Sequence, residues 1–140
     1  MEEANRAKIG VDDSWDRAER RHRSGDPRVH DFASEVARLC YDRHCENVLI
    51  FDVRGLSDVT DYILIASGTS DRQIKAVGGE ISDLGQQWQV DRFGSDRDDA
   101  VTWLVLDFID LVVHLFEPTA RAHYDLEMMW NDAPMIEWRR

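Results

Sequence analysis

Apolar residues recur along this chain at two different periods, and each period predicts one kind of element. Over residues 29–40 and again over 74–88 they return every three or four positions, which is typical of a helix with one buried face. Asp26-Pro27 suits the start of the first helix, because Asp is a favoured N-cap and Pro fits the first helical position. Ser70, with a glutamine three residues later, has the spacing of a capping box. We therefore predict helices over about 27–44 and directly after Ser70.

Four short runs rich in Val, Ile, Leu and aromatic residues predict buried strands. These runs cover residues 48–53, 61–67, 103–106 and 111–116. Residues 89–93 are a weaker strand candidate, and the polar residues 94–99 predict a loop.

The last predicted element is a helix that lies on the sheet. Pro118 ends the preceding strand, because it has no N–H to give to a ladder, and Thr119 can cap a helix that runs to about Trp130. One face of this helix carries its apolar residues, namely Ala122, Leu126, Met129 and Trp130.

This order of elements predicts an α/β domain, in detail an α+β mixed sheet with helices packed on it. A chain of 140 residues, 43% of them hydrophobic, is the size of one domain with a core. We assign the domain to residues 29–130. Residues 1–28 form a charged N-terminal extension with the composition of a mobile arm, and residues 131–140 form a C-terminal tail.

Charge is distributed unevenly along the chain, whose net charge is −11. Residues 1–28 hold seven acids and seven bases, whereas residues 29–140 hold 21 acids and 10 bases. The domain is therefore expected to be repelled by phosphate backbones and anionic membranes, and to attract basic proteins. Solubility alone is an equally good explanation of this acidity. We expect little direct RNA binding.

Targeting and redox signals indicate a cytoplasmic protein without a membrane segment. No apolar run reaches the roughly 20 residues that a membrane helix needs, and the N-terminus lacks the apolar core of a secretory signal. Cys40 and Cys45 are too few for a disulfide framework and lack metal-ligand spacing, so reduced cysteines are expected.

Three groups of residues could carry chemistry, and each also has a structural explanation. Gly68-Thr69-Ser70 could cradle a phosphate, although a helix cap explains it too. Asp107 and Asp110 could hold a divalent metal, but residues three apart on a strand point to opposite faces, which favours two solvated carboxylates at a hairpin rim. His114 could be a ligand, or a general base for which Ser67, Thr69 and Ser70 lie in a plausible loop, but a largely buried, hydrogen-bonded histidine is the more usual outcome.

Three separated blocks resemble the ribosomal silencing factor family, also called the Iojap family. Residues 61–73, DYILIASGTSDRQ, are similar to its T-D-Y-hydrophobic-hydrophobic-A-S-G-T-S-x-R-Q signature. Residues 103–114 resemble its W-hydrophobic-D-x-G-D-V-V-V-H block, and residues 121–130 its R-x-x-Y-x-L-E-x-L-W helix. Ile109 stands where that pattern has glycine. Because Ile resists positive φ, we expect the turn to differ in backbone geometry.

The resemblance implies a nucleotidyltransferase-like fold without catalytic acids, and no enzyme activity, cofactor or metal. It implies binding to the large ribosomal subunit at protein uL14, which blocks joining of the small subunit when nutrients are short. A role in large-subunit assembly is one alternative, and an enzyme that uses residues 68–70 with Asp107 is another. An apolar sheet edge would allow the free protein to pair as a homodimer.

Two sets of family-motif residues follow from this comparison. The expected docking face for uL14 consists of Asp107, Asp110, His114, Arg121, Tyr124, Leu126 and Trp130. The residues expected to be structural are Asp61, Tyr62, Ser67, Gly68, Ser70 and Trp103.

Overall fold

The computed structural model describes residues 17–19, 21, 26–90, 92–98 and 103–140. Its helices are α1 (Arg28–Asp42), α2 (Asp71–Gln87), α3 (Pro118–Tyr124) and α4 (Leu126–Met129). Its strands are β1 (Glu46–Asp52), β2 (Tyr62–Ser67), β3 (Gly94–Asp98), β4 (Trp103–Asp107) and β5 (Leu111–Phe116). Residues 17–19 and 21 are also helical. In this described part, no helix has both the length and the apolar character needed to span a membrane.

The five strands form one sheet in the order β1-β2-β5-β4-β3. Only β2 and β5 run parallel, and the other three neighbouring pairs are antiparallel. The prediction of a mixed sheet with packed helices is confirmed. The parallel pair at the centre is buried most deeply, since all six residues of β2 are buried.

Alternation along each strand divides the core between the two faces of the sheet. Leu104 and Leu106 of β4 join the cluster beneath α1 and α2, whereas Trp103 packs on the opposite side, towards α3 and α4. Close packing explains one glycine within α2: a Cβ at Gly78 would lie 2.5 Å from Cδ2 of Leu104. A side chain at this position would force Leu104 to move, so glycine allows the close approach of helix and sheet.

The sequence predicted a strand over residues 89–93 and a loop over residues 94–99, and both predictions were wrong. The described residues 89, 90, 92 and 93 are not in a strand, because Gln89 takes φ +59° and the Val90 N–H returns to the carbonyl of Gly85. The strand is Gly94–Asp98, expected as a loop, and it pairs with β4 along its whole length. An edge strand exposed on one side needs few apolar residues, so its polar sequence did not resemble a strand.

The single predicted C-terminal helix is two short ones. Asp125 takes the left-handed conformation, φ +48°, which ends α3 and redirects the chain. The cap of α3 is Glu117, whose carboxylate accepts from the Thr119 N–H at 3.0 Å, rather than Thr119 itself. As a result Ala122 and Met129, expected on the sheet-facing side, are exposed.

The last residues of the chain, expected as a tail, pack along the outer edge of β1. The Asp52 N–H donates to the Pro134 carbonyl at 2.8 Å, and the Ile136 N–H donates to the Ile50 carbonyl at 2.9 Å. Trp138 is buried, and its Nε1–H donates to the Val48 carbonyl at 3.1 Å. These bonds cover the edge that homodimer pairing through β1 would require.

Candidate functional site

The turn between β4 and β5 is held by an arginine from the N-terminal segment. Arg17 makes a bidentate pair with Asp107, from Nε to Oδ2 at 2.6 Å and from Nη2 to Oδ1 at 3.0 Å. Its Nη1 also donates to the Val59 carbonyl at 3.0 Å, and Nη2 to the Ile109 carbonyl at 3.1 Å. Asp107 is therefore engaged with a side chain about 90 positions away in the sequence.

A second arginine, four positions later, joins two further carboxylates. Arg21 donates from Nη2 to Asp61 at 2.7 Å and from Nη1 to Asp110 at 2.5 Å. Burial lowers the pKa of Arg21, but the bonds to both carboxylates outweigh that effect and leave the pKa raised. Only 4% of Asp110 is exposed. The prediction of two solvated carboxylates at the rim was wrong, and we call Asp61, Asp107 and Asp110 the acidic end.

Ile109 adopts the backbone conformation that the sequence argued against. Its φ is +73°, although β-branched residues rarely take positive φ. The Asp110 N–H donates to the Phe108 carbonyl at 2.9 Å, the bond of a γ-turn, and the Ile109 N–H donates to Oδ1 of Asp107 at 2.8 Å. The turn thus keeps a glycine-like shape, and burial of the Ile109 side chain offsets its strain.

One face of the sheet is incompletely covered near its β4 side. Trp103 and Val105 of β4 and Val112 and His114 of β5 are half-buried there, and all four alternate with residues of the main core. Tyr124 of α3 is 40% exposed and packs against Trp103, with ring centroids 4.7 Å apart and ring planes tilted by 43°. We call these five residues the open face.

His114 combines the two structural features that its sequence context predicted. Its Nδ1 accepts a hydrogen bond from Nε1–H of Trp103 at 3.2 Å, and burial lowers its pKa to about 4. The imidazole is consequently neutral near pH 7, with Nδ1 unprotonated. A neutral aromatic ring suits a contact surface, and the Trp103 bond occupies the nitrogen that a general base would use.

Arg121 was expected on the docking face, but it is buried inside the fold. Its Nη1 donates to the Asn47 carbonyl at 2.8 Å and to Oγ of Ser67 at 2.9 Å, while Nη2 pairs with Glu127 at 3.0 Å. The register of β1 against β2 shifts at Asn47, whose φ is +51°. Such a bulge leaves a carbonyl without a ladder partner, and Arg121 satisfies it.

The remaining docking candidates do not form one site. Asp107 and Trp103 lie at opposite ends of β4, about 13 Å apart at the usual rise per residue. Leu126 and Trp130 are half-buried against the smaller core cluster, which lies on the α3 and α4 side of the sheet around Phe116, and not beside the acidic end. Alternation in β4 could have identified Val105 as an open-face residue, because it shares a side with Trp103 and Asp107.

Four of the six structural candidates lie inside the fold or cap a helix, whereas Asp61 belongs to the acidic end and Trp103 to the open face. The Oγ of Ser70 accepts from the Gln73 N–H at 3.1 Å, which confirms the helix cap, and the Gln73 side chain accepts from the Thr69 N–H at 2.5 Å. The Gly68 N–H donates to the Phe116 carbonyl at 2.7 Å, so these loop N–H groups have acceptors within the protein. Tyr62 and Ser67 are buried.

The two cysteines, Cys40 and Cys45, belong to the main core cluster. Both are buried and unbridged. Within the described ranges, no group of three or more His, Cys, Asp or Glu side chains is placed to hold a metal ion.

Comparison with known proteins decides the family. The sequence model of the family described as "Ribosomal silencing factor during starvation" matches residues 26–140. The chain belongs to this family. Among curated ribosomal silencing factors, that of Bacillus subtilis is 37% identical over 102 residues, which are 73% of this chain and 86% of the relative.

Two further comparisons extend this result. The mouse protein named "Mitochondrial assembly of ribosomal large subunit protein 1" is 31% identical over 69% of this chain and 43% of its own length. A crystal structure of a Chromobacterium violaceum protein superposes with a TM-score of 0.65 at 28% identity, covering 71% of this chain and 83% of that one. The ribosomal silencing factor fold thus accounts for most of the described sheet and helices.

Proposed function

We propose that this protein binds the large ribosomal subunit through uL14 and sterically blocks joining of the small subunit, repressing translation in the cytoplasm under nutrient limitation. Membership of the ribosomal silencing factor family carries this proposal. The action needs no bond-making step, because a bound domain of this size occupies space that the second subunit would need.

The open face is the best candidate for the contact with uL14. It offers two aromatic rings in contact, Trp103 and Tyr124, beside Val105 and the neutral ring of His114. Aromatic side chains dominate the energetics of protein interfaces because they bury large areas at a low cost in conformational entropy. In the monomer these side chains remain partly in contact with water, so a partner could bury them.

Charge supports the same partner class. Residues 29–140 carry the entire net charge of −11. A basic ribosomal protein would be drawn towards this domain, and electrostatic attraction mainly raises the association rate and sets orientation. Asp96 of β3 lies opposite Val105 in the sheet, which places one exposed carboxylate next to the open face.

Cosedimentation with purified large subunits tests the proposal. Val105→Lys places a cation on the open face, so we expect binding to fall by about tenfold or more, with a matching loss of subunit-joining inhibition. Leu56→Lys is the matched control, because Leu56 is 55% exposed on the loop between β1 and β2. Equal binding by wild type and Val105→Lys would reject the open face. Normal joining of subunits in the presence of bound wild-type protein would reject silencing.

Large-subunit assembly is the second candidate, and the name of the mouse relative, a mitochondrial assembly protein of the large subunit, favours it. Both roles use the same contact with the large subunit but differ in timing. An assembly factor would cofractionate with immature particles, and its loss would deplete mature large subunits. A silencing factor would cofractionate with mature large subunits, and its loss would leave their number unchanged.

A further inference from the structure

We propose that the N-terminal segment carrying Arg17 and Arg21 is an autoinhibitory strap, which occupies the acidic end and is displaced by arginines of a basic protein partner. This inference rests on the proposed function for the identity of the partner, but the intramolecular contact can be tested without ribosomes. The family match begins at residue 26, so the strap is an addition to the matched domain.

The acidic end is shaped for two guanidinium groups. Arg17 and Arg21 are both helical and four positions apart, a spacing that places side chains on one face of a helix. Arg17 pairs with both oxygens of Asp107, and Arg21 bridges Asp61 and Asp110. The planar guanidinium of arginine can bind both oxygens of one carboxylate or bridge two carboxylates, and the single ammonium of lysine cannot reproduce this geometry.

The described part of the strap is held mainly by charge. Ala18 and Glu19 are exposed, so these two residues contribute no buried apolar surface. Arg17, Arg21, Asp61 and Asp107 are partly exposed, and salt bridges at such sites stabilise weakly and are screened by salt. A partner that brings its own arginines, together with apolar contacts, can therefore replace the strap.

Position explains why the strap would inhibit docking. Asp107 projects from β4 on the same side as Trp103 and Val105, so the Arg17 guanidinium lies at one end of the open face. Two positive charges there also reduce the attraction between the domain and a basic surface. Release of the strap would expose three carboxylates beside the aromatic contact surface.

The first test uses the full chain and purified large subunits. We expect Arg17→Ala/Arg21→Ala to bind about three- to tenfold more tightly than wild type at low salt, with the difference shrinking as salt is raised. Arg72→Ala/Lys75→Ala removes the same charge from exposed positions of α2 and should bind like wild type. Equal or weaker binding by the Arg17/Arg21 variant, with its fold verified by circular dichroism, would overturn the proposal.

The second test needs no ribosome and separates failure of the strap from failure of the proposed function. A labelled synthetic peptide of residues 13–25 is titrated into Arg17→Ala/Arg21→Ala and into wild type. We expect saturable, salt-sensitive binding to the variant and at least tenfold weaker binding to wild type, whose acidic end is already occupied. The same peptide with alanine at both arginines should not bind. Equal affinity of the peptide for the two proteins would reject the strap, even if large-subunit binding is observed.

A charge-preserving variant controls for the destabilisation that would follow if Asp110 lost its arginine partner. Arg17→Lys/Arg21→Lys keeps both positive charges but cannot form the bidentate contacts. We expect it to bind the peptide with an affinity between those of wild type and the alanine variant. An affinity equal to wild type would show that charge alone fills the site and would reject guanidinium recognition.

Discussion

Trp103 donates its indole N–H to Nδ1 of His114, 3.2 Å away across the β4–β5 ladder. Val105, not Trp103, is the residue directly opposite His114, so this bond crosses the pair diagonally. It holds the imidazole as the neutral tautomer with the proton on Nε2. Burial has the same effect, because it lowers the pKa of His114 to about 4. The pair fixes both the geometry and the charge of the open face.

We predict that His114 makes stability fall in mild acid. The folded pKa of about 4 lies below the ordinary value of 6.5, so the unfolded chain takes up the proton first. The stabilisation is therefore present above about pH 6.5 and is lost as the pH falls towards 4. Between pH 7 and pH 5 the linkage lowers the free energy of unfolding by about 1–2 kcal/mol. Urea unfolding at the two pH values measures this change.

His114→Gln is the control for that experiment. Its amide oxygen can accept the Trp103 bond but cannot titrate, so the loss between pH 7 and pH 5 should shrink by the same 1–2 kcal/mol or so. An NMR titration of the wild-type imidazole should give a midpoint near 4. A midpoint near 6.5 would contradict the assigned environment.

Arg121 should affect stability rather than ribosome binding. Replacing it with alanine leaves the Asn47 carbonyl, Ser67 and Glu127 without this donor, so we expect a loss of about 2–4 kcal/mol. Arg121→Lys should recover less than half of that loss, because one ammonium cannot span the same acceptors. Guanidinium unfolding measures both variants. Arg72→Ala, at an exposed position of α2, should change stability by less than about 0.5 kcal/mol. A stable Arg121→Ala protein with impaired docking would return Arg121 to the binding surface.

At position 109 a glycine substitution should destabilise the protein less than an alanine substitution, which is the reverse of the usual order. Both substitutions lose the buried side chain, which costs about 2–4 kcal/mol. Alanine retains the strain of φ +73°, whereas glycine does not, so Ile109→Gly should be about 1 kcal/mol more stable than Ile109→Ala. Thermal unfolding of the two variants decides this. The ordinary order, with alanine more stable, would mean that the turn relaxes to negative φ.

The C-terminal residues should be required for a stable β1 edge. Trp138→Phe removes the indole bond to the Val48 carbonyl but keeps most of the ring, so we expect a loss of about 1–2 kcal/mol. Trp138→Ala also removes the buried ring and should cost about 3–5 kcal/mol. Analytical ultracentrifugation should show more self-association of Trp138→Ala than of wild type, because the uncovered strand can pair. Monomeric behaviour at equal concentration would contradict that role.

Local patterns in the sequence predicted most of the fold. The Ser70 cap holds as expected, because its Oγ accepts from the Gln73 N–H. The first helix begins at Arg28 with Pro27, rather than Asp26, as its N-cap, although the Asp26 side chain accepts from the Arg28 N–H at 2.9 Å. Runs of apolar residues located β1, β2, β4 and β5 to within a few positions. These features depend on neighbours in the chain, and that is the information a single sequence carries most directly. Strand β3 was missed because its pairing with β4, rather than its own polar residues, makes it a strand.

Resemblance in three separated motifs indicated the family, and the match to the family model confirmed it. The placement of the docking candidates could not be obtained from motifs. Arg121, expected at the surface, serves a bulge at Asn47 that lies about 74 positions earlier. Positive φ at Ile109 depends on packing and on Asp107, neither of which local propensity includes.

The amino-acid sequence by itself determined most of the elements, the acidic domain and the family, because periodicity, capping and composition act over short stretches of chain. Only the tertiary structure decided which charged side chains are exposed to solvent and which are paired. Asp107 and Asp110 have the sequence context of exposed acids, yet they are paired with Arg17 and Arg21, which are about 90 positions away. Such pairs form only after the sheet has brought distant segments together, since the energy of a charged group depends on its final surroundings.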